Sequence, residues 1–430
     1  MHSQTNIFKK NFYVYLYFLI VFISFLLGFF FNEDSSGGGL VDFSHEWKSI
    51  NEFKLGIFSA LTSDNYESSR TPLFLILNYY NPFNDTEFNY RISNFIFNLF
   101  IPISFFIFLK NKYENINLNL IVAVTLLLYL SPYFRTSAYW AHQENLPIFF
   151  TICSFLYLNL YENNKIKQNF IHIFCIALVS SLAFYSDQKY IFVSLYCFIK
   201  LIIFYRFEQR KILLIIFFFF ITSLPALYLF YLWKGIVPIA GQFNLGFYPQ
   251  NISLSVSIIC FYFLPIFAYL ILNNKLFEIL KSTKKIDYIL LLLLAIIFIL
   301  CIPNFENPWG GGTIYKLFYL LNLFIETEII SKFVFLTFIT ISTVFIYLLL
   351  KNNLLNFLPL IILIILSSFV EKTYQEYFDP IIIVLLFSYF QIEKKFIDIM
   401  SKKIVFNLSL FLIFFLIFAN IYYIHFNLVK

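Results

Sequence analysis

Four carboxylates and a run of glycines lie directly after the first apolar segment. In NEDSSGGGLVDFSHEW (residues 32–47), Glu33 and Asp34 come first, Gly37, Gly38 and Gly39 follow, and then Asp42, His45 and Glu46. A carboxylate at a membrane surface can take a proton from a hydroxyl and so act as a general base. Glycines beside it let the backbone turn sharply and approach a bound molecule. The plainer alternative is a solvated loop whose acids meet lipid headgroups. Glu33, Asp34 and Asp42 are the candidate catalytic groups, and His45 is a candidate substrate contact.

Four further segments carry chemistry between apolar runs. SPYFRTSAYWAHQENLP (131–147) places Arg135, Tyr139, Trp140, His142, Glu144 and Asn145 together. Tyr and Trp are common interface anchors, but ionisable residues at membrane depth usually mark function. YSDQKY (185–190) holds Asp187, Gln188 and Lys189, read either as a helix-capping pair or as a point charge for a phosphate. FENPWGGGTIYKL (305–317) sets a triple glycine near Lys316, either a plain turn or a backbone nest for an anion. EKTYQEYFDP (371–380) adds Lys372, Gln375 and Tyr377, with interface anchoring as the alternative. Arg70, in SSRTPLF, and Arg91 complete a basic set whose obvious partner is a lipid phosphate.

The elements that position these residues are read from composition. Of 430 residues, 60% are hydrophobic and only 13% charged, against roughly a quarter charged in soluble domains. Apolar runs near 12–31, 91–109, 118–132, 146–161, 169–185, 190–205, 211–232, 253–273, 287–302, 329–350, 354–370, 380–392 and 404–425 give about thirteen membrane spans. The expectation is an all-α polytopic membrane protein, one continuous transmembrane domain over 1–430 with a first extracytoplasmic loop at 32–90. Within that loop Phe43, Trp47, Ile50, Phe53 and Ile57 recur at helical spacing. One or two short amphipathic helices are therefore expected between 44 and 66.

Sidedness follows from the basic turns. Lys110/Lys112, Lys165/Lys167, Arg206/Arg210/Lys211, Lys275/Lys281/Lys284/Lys285, Lys351 and Lys394/Lys395/Lys402/Lys403 fall in every second turn. This puts the N-terminus in the cytoplasm and the loops 32–90, 131–146, 185–190, 232–252, 302–328 and 370–380 outside. Lys9 and Lys10 precede the first apolar run without a small-residue cleavage site after it, so an uncleaved first helix is expected. The net charge of +6 resides in short turns and does not point to nucleic acid. Five cysteines show no CxxC or metal spacing, and there is no DxD pattern, so neither metal nor cofactor is expected. The Phe excess (62 residues) fits an AT-rich coding sequence and is not read as a binding surface.

The layout resembles the GT-C superfamily of membrane glycosyltransferases, which includes protein O-mannosyltransferases and aminoarabinose transferases. RTPLF (70–74) is similar to that group's basic-Pro-Pro-Leu element ahead of the second helix, with Thr71 in place of a proline. SPYFRTSAYW-x-x-x-EN, GGGTIYKL and QEYFDP resemble elements of its bacterial members. The resemblance implies a bacterial inner-membrane enzyme that moves a sugar from a polyprenyl-phosphate-linked donor to a glycan, lipid or protein acceptor. It also implies that a first-loop aspartate is the base. Asp34 fits by its distance from the first helix, and Asp42 by the GGG-x-x-D-F context; Asp42 is preferred. The leaving phosphate would need cations, for which Arg70, Lys189, Lys316 and Lys372 are candidates. A transporter or flippase of lipid-linked saccharides, and an O-antigen polymerase or ligase, are the rival readings. The spans are nearly free of charge, which disfavours the first. The large outer loop comes early in the chain, which disfavours the second.

Overall fold

A computed structural model describes residues 2–281, 283–306, 310–325 and 327–429. Among them there is no strand, only an isolated bridge between Leu245 and Val370. The helices divide into two compact units, Met1–Phe243 with Ser409–Lys430, and Asn244–Leu408.

The first unit begins with α1 (His2–Phe30), followed by three short helices, α2 (Gly39–Leu55), α3 (Ile57–Ala60) and α4 (Leu73–Tyr79). Long helices follow: α5 (Glu87–Lys112), α6 (Leu118–Leu130) with its continuation α7 (Pro132–Tyr139), α8 (Asn145–Glu162), α9 (Phe170–Ser186), α10 (Ile191–Phe204) and α11 (Gln209–Trp233). Local signals set these ends. The Thr86 side chain accepts from Asn89 N at the start of α5, and that of Asn169 accepts from His172 N at the start of α9. α6 and α7 bend by 66° at Ser131. Ser131 precedes Pro132, and the proline ring disfavours helical backbone in the residue before it. Ser131 is accordingly extended (φ −73°, ψ 121°), and its hydroxyl accepts from Phe134 N to start α7. Buried rings hold the bend in place: Phe25 of α1 lies 5.3 Å from Phe95 of α5, 4.3 Å from Tyr129 of α6 and 5.2 Å from Tyr139 of α7, between centroids.

α2 buries Gly39, Phe43, Glu46, Ser49, Ile50 and Phe53 and exposes Leu40, Val41 and Leu55. This is the expected amphipathic helix, begun five residues earlier than its apolar spacing suggested; Trp47 and Ile57 are only half-buried.

The second unit holds α12 (Gln250–Leu272), α13 (Lys275–Lys281), α14 (Lys285–Leu300), α15 (Gly312–Ile325), α16 (Glu328–Leu350), α17 (Leu358–Ser367) and α18 (Ile381–Ser388). α19 (Lys402–Val429) follows and belongs to the first unit from Ser409 onward. α12 is the centre of the second unit, packed on α15, α16 and α17. α15 corrects the expectation of an open loop over 302–328. At 14 residues it is shorter than the roughly 20 needed for a span, so a search for long apolar runs passes over it. α18, in the expected run 380–392, has 8 residues and rises only about 12 Å.

Each apolar run named from the sequence contains helix, though 380–392 does so over only Ile381–Ser388. Among the described residues five helices are long and apolar enough to cross a membrane: α5, α11, α12, α16 and α19; counting the bent α6–α7 pair as one span makes six.

Candidate functional site

The three first-loop carboxylates have three different surroundings. Glu33 is committed to Arg135. The guanidinium donates from Nε to Glu33 Oε1 (2.8 Å) and from Nη2 to Glu33 Oε2 (2.5 Å), and its remaining donors reach the carbonyls of Tyr129 (3.1 Å) and Ser24 (2.9 Å). Asn420 of α19 also donates to Glu33 Oε1 (3.4 Å). The pair borders a cavity of about 510 Å³ lined by Gly28, Asn32, Glu33, Asp34, Arg135 and Asn420. Asp34 is committed to its own loop, accepting from Gly37 N (2.8 Å) and Gly39 N (3.1 Å). Asp42, in the first turn of α2, is half-buried and has no side-chain hydrogen bond among the described residues.

The triple glycine now has reasons of its own. Gly37 takes a positive φ of 84°, which L side chains rarely adopt. A Cβ on Gly38 would meet Asp42 Oδ2 at 2.9 Å, and one on Gly39 would meet the Trp140 indole at 2.5 Å. The loop therefore keeps Asp42 clear and lets α2 close on the segment after α7.

A network of opposite charges lies within electrostatic reach of Asp42. Arg70 forms a short ion pair with Glu144, and its Nε lies 3.4 Å from Asp187 Oδ2. Lys189 Nζ reaches the same Asp187 oxygen at 3.1 Å. His142 Nε2 donates to the Gly39 carbonyl (3.0 Å), and its Nδ1 is 3.8 Å from Glu144 Oε2. A carbonyl can only accept, so Nε2 carries a proton. Sequence places these groups far apart; α2, the loop before α4, the α7–α8 turn and the α9–α10 turn bring them together.

Three carboxyl groups in this network titrate differently. Burial raises the Asp42 pKa, and Glu144 adds to the rise, while His142, Arg70 and His45 oppose it. Glu46, one turn further along α2, is pushed up to about 8, first by burial and then by Glu144 and Asp42. Burial would also raise Glu144, but Arg70, His142 and Lys189 overcome it and hold that group down at about 2. The network thus carries an ionised Glu144 bound to Arg70, a protonated Glu46, and an Asp42 whose proton affinity burial raises.

Other residues singled out from the sequence serve as framework. Tyr139 donates from its hydroxyl to the Phe25 carbonyl (2.7 Å), and Trp140 Nε1 donates to the Glu33 carbonyl (3.0 Å). Arg91 stacks 4.2 Å over the Trp140 ring and donates to the Tyr139 carbonyl (2.9 Å). Asn145 Nδ2 bridges Asn98 Oδ1 and the Phe134 carbonyl (2.7 and 3.0 Å). Gln188 Nε2 ties the Ser69 and Ile236 carbonyls at 3.3 Å each. His45 is exposed and pairs with Glu67, which Lys48 also reaches at 3.2 Å.

Lys316, Lys372, Gln375 and Tyr377 belong to the second unit. Buried Gln375 fastens the start of α15, its Oε1 accepting from Thr313 N and Oγ1 (2.7 Å each) and its Nε2 donating to Tyr262 (2.9 Å). Gly310, Gly311 and Gly312 all have positive φ, and Gly311 N donates to the Thr373 carbonyl (2.7 Å). Lys372 is exposed, 3.9 Å from Glu371, and both border a cavity of about 430 Å³ with Tyr248, Gln250, Asn304 and Tyr315. Tyr377 packs edge-on against Tyr374. Asn307, Pro308 and Trp309 of the glycine-containing segment lie outside the described residues. Among the described residues no group of three or more His, Cys, Asp or Glu is placed to hold a metal ion.

The sequence reading left Glu46, Tyr66, Ser68 and Gln143 out of the site. Tyr66 donates to the Arg70 carbonyl (2.6 Å), and Gln143 Nε2 donates to Ser68 Oγ (2.6 Å), so both fix the strands of loop that carry Arg70 and Glu144. The signal for Glu46 was present: residues 42 and 46 are four apart, which on a helix puts both carboxylates on one face.

No known protein family, no curated protein and no solved structure matches this chain.

Proposed function

We propose that this protein is a membrane glycosyltransferase that moves a sugar from a polyprenyl-phosphate-linked donor to an acceptor hydroxyl. In this reading the chain crosses a bacterial inner membrane thirteen times, with the N-terminus in the cytoplasm and the first long loop outside. The observation that carries it is the surroundings of Asp42. Of the three candidate carboxylates it is the one without a side-chain hydrogen bond among the described residues, partly exposed and set against a buried network of Arg70, His142, Glu144, Asp187 and Lys189. A raised pKa suits a carboxylate that must accept a proton and later give it up. Resemblance of the loop and of RTPLF to GT-C enzymes supports the same class.

The chemistry runs as one displacement. Asp42 takes the acceptor proton as the hydroxyl oxygen attacks the anomeric carbon. The bond to the carrier breaks, and polyprenyl phosphate leaves as an anion that needs no protonation. Its charge calls for cations, and Arg70 and Lys189 of the same network are the groups to supply them, each sharing a carboxylate in the resting site.

Reconstitution into liposomes with a panel of polyprenyl-phosphate hexoses and pentoses tests this. Asp42→Asn should lower transfer by about a hundred- to ten-thousand-fold in a protein that inserts and unfolds like the wild type. Asp34→Asn and Glu33→Gln are the controls, and their losses should track stability instead. Full activity in all three variants would sink the first-loop mechanism.

A further inference from the structure

We propose that Glu46 is a positioning residue of the Asp42 site, kept un-ionised so that Asp42 and Glu144 can carry their charges beside it. The inference rests on the reading of Asp42 as the base.

The geometry supplies more carboxyl groups than cations can serve. Glu46 is only 7% exposed and lies on the buried face of α2, one turn after Asp42. Its Oε2 is sealed from solvent without a hydrogen-bond partner. The charged and titratable groups facing it come from its own helix and from three other segments. They are Asp42 from its own helix, Tyr66 and Arg70 from the segment between α3 and α4, Tyr90 from α5, and Glu144 from the turn before α8. Arg70 is the cation of that set, and it is bound to Glu144 and lies beside Asp187. Glu144 also receives the Ser137 hydroxyl (3.4 Å) and faces His142. Asp42 keeps access to water. Glu46 has no cation of its own among the described residues and little exposure to water, and a carboxylate so enclosed is the form that burial penalises most. It therefore holds its proton beside an ionised Glu144. Were it to ionise, its charge would join those of Asp42, Glu144 and Asp187 around one arginine, raising the proton affinity of Asp42 and loosening the Arg70–Glu144 pair.

The sign of the pH effect follows. The folded Glu46 pKa lies near 8, above its ordinary value of 4.5. Between those values the folded chain holds a proton that the unfolded chain releases. Glu46 therefore takes away stability as pH rises through that window, and the loss levels off above about pH 8.

The test uses the full-length protein in detergent, with Glu46→Gln as the neutral isostere and Glu46→Leu as the apolar one. Thermal unfolding is followed from about pH 5 to about pH 9. Relative to Glu46→Gln, the wild type should lose Tm steadily up to about pH 8 and then run parallel. Parallel curves throughout would overturn the proposal. Infrared spectra at neutral pH should show a buried carboxylic-acid C=O stretch that Glu46→Gln removes; its absence from the wild type would also overturn it. In the transfer assay Glu46→Gln should act at about the wild-type rate at neutral pH and extend activity to higher pH, whereas Glu46→Leu should lower kcat. A dead Glu46→Gln would mean that the charged form is needed, against the proposal. If the unfolding and infrared results hold while Asp42→Asn stays fully active, the base reading fails and the un-ionised Glu46 stands.

Discussion

At the scale of single residues, partners decide what each acid does. Glu33, Asp34 and Asp42 lie within ten positions and are alike in type. One is spent on Arg135, one on two backbone N–H groups, and one is left open. The pH dependence of transfer should report the open one. Asp42 is the base only when ionised, and its pKa is raised, chiefly by burial. Activity should therefore fall on the acid side through a midpoint above the ordinary aspartate value of about 4. A kcat/KM profile with no acid limb above that value would count against Asp42. The sequence marked all three acids but could not rank them by surroundings, because Arg135 sits 102 positions from Glu33. What separates Asp42 from Glu46 is depth of burial, Glu46 being on the buried face of α2 and Asp42 partly exposed, which spacing along α2 does not record.

At the scale of elements, the end of α1 is tied to α7 by the Glu33–Arg135 pair, whose arginine is only 2% exposed. Removing one member leaves the other charge buried alone, at a cost of about 3–5 kcal/mol. Arg135→Met should therefore lower stability by that order in equilibrium unfolding of the detergent-solubilised protein. The double variant Glu33→Leu/Arg135→Met should recover most of it. A single variant as stable as the wild type would show that the pair contributes little. The elements were legible wherever periodicity was long and unbroken, as in α5, α11, α12, α16 and α19. The bend at Ser131 was written in Ser-Pro, although the sequence reading took 118–132 as one run. α15 was not legible as a helix, since it begins on the last of three glycines and its 14 residues fall below the length of a span.

At the scale of the whole molecule, the alternation of basic turns is local information and could be read directly from sequence. It predicts opposite sides of the membrane for residues 64 and 278, both exposed. In a cysteine-free background, Asp64→Cys should react with an impermeant maleimide on intact cells, and Glu278→Cys only after permeabilisation. The reverse pattern would invert the topology. What no local pattern announces is which distant helices close against one another, and here the last helix is the clearest case.

α19 returns to the first unit after the whole second unit has been made. Ser409 accepts from the Tyr17 hydroxyl (3.2 Å), Phe415 packs against Tyr133, and Asn420 reaches Glu33. Gly37, at the turn before α2, has no room for a Cβ because the Tyr423 ring fills that space at 2.0 Å. During synthesis, then, the glycine turn and the Glu33 cavity have their early walls long before their last one. The first unit gains this last wall only after residues 244–408 have been made. Completion of the candidate site thereby waits on α19: a chain that stops short of that helix leaves the acids of the first loop in place but the wall behind them open.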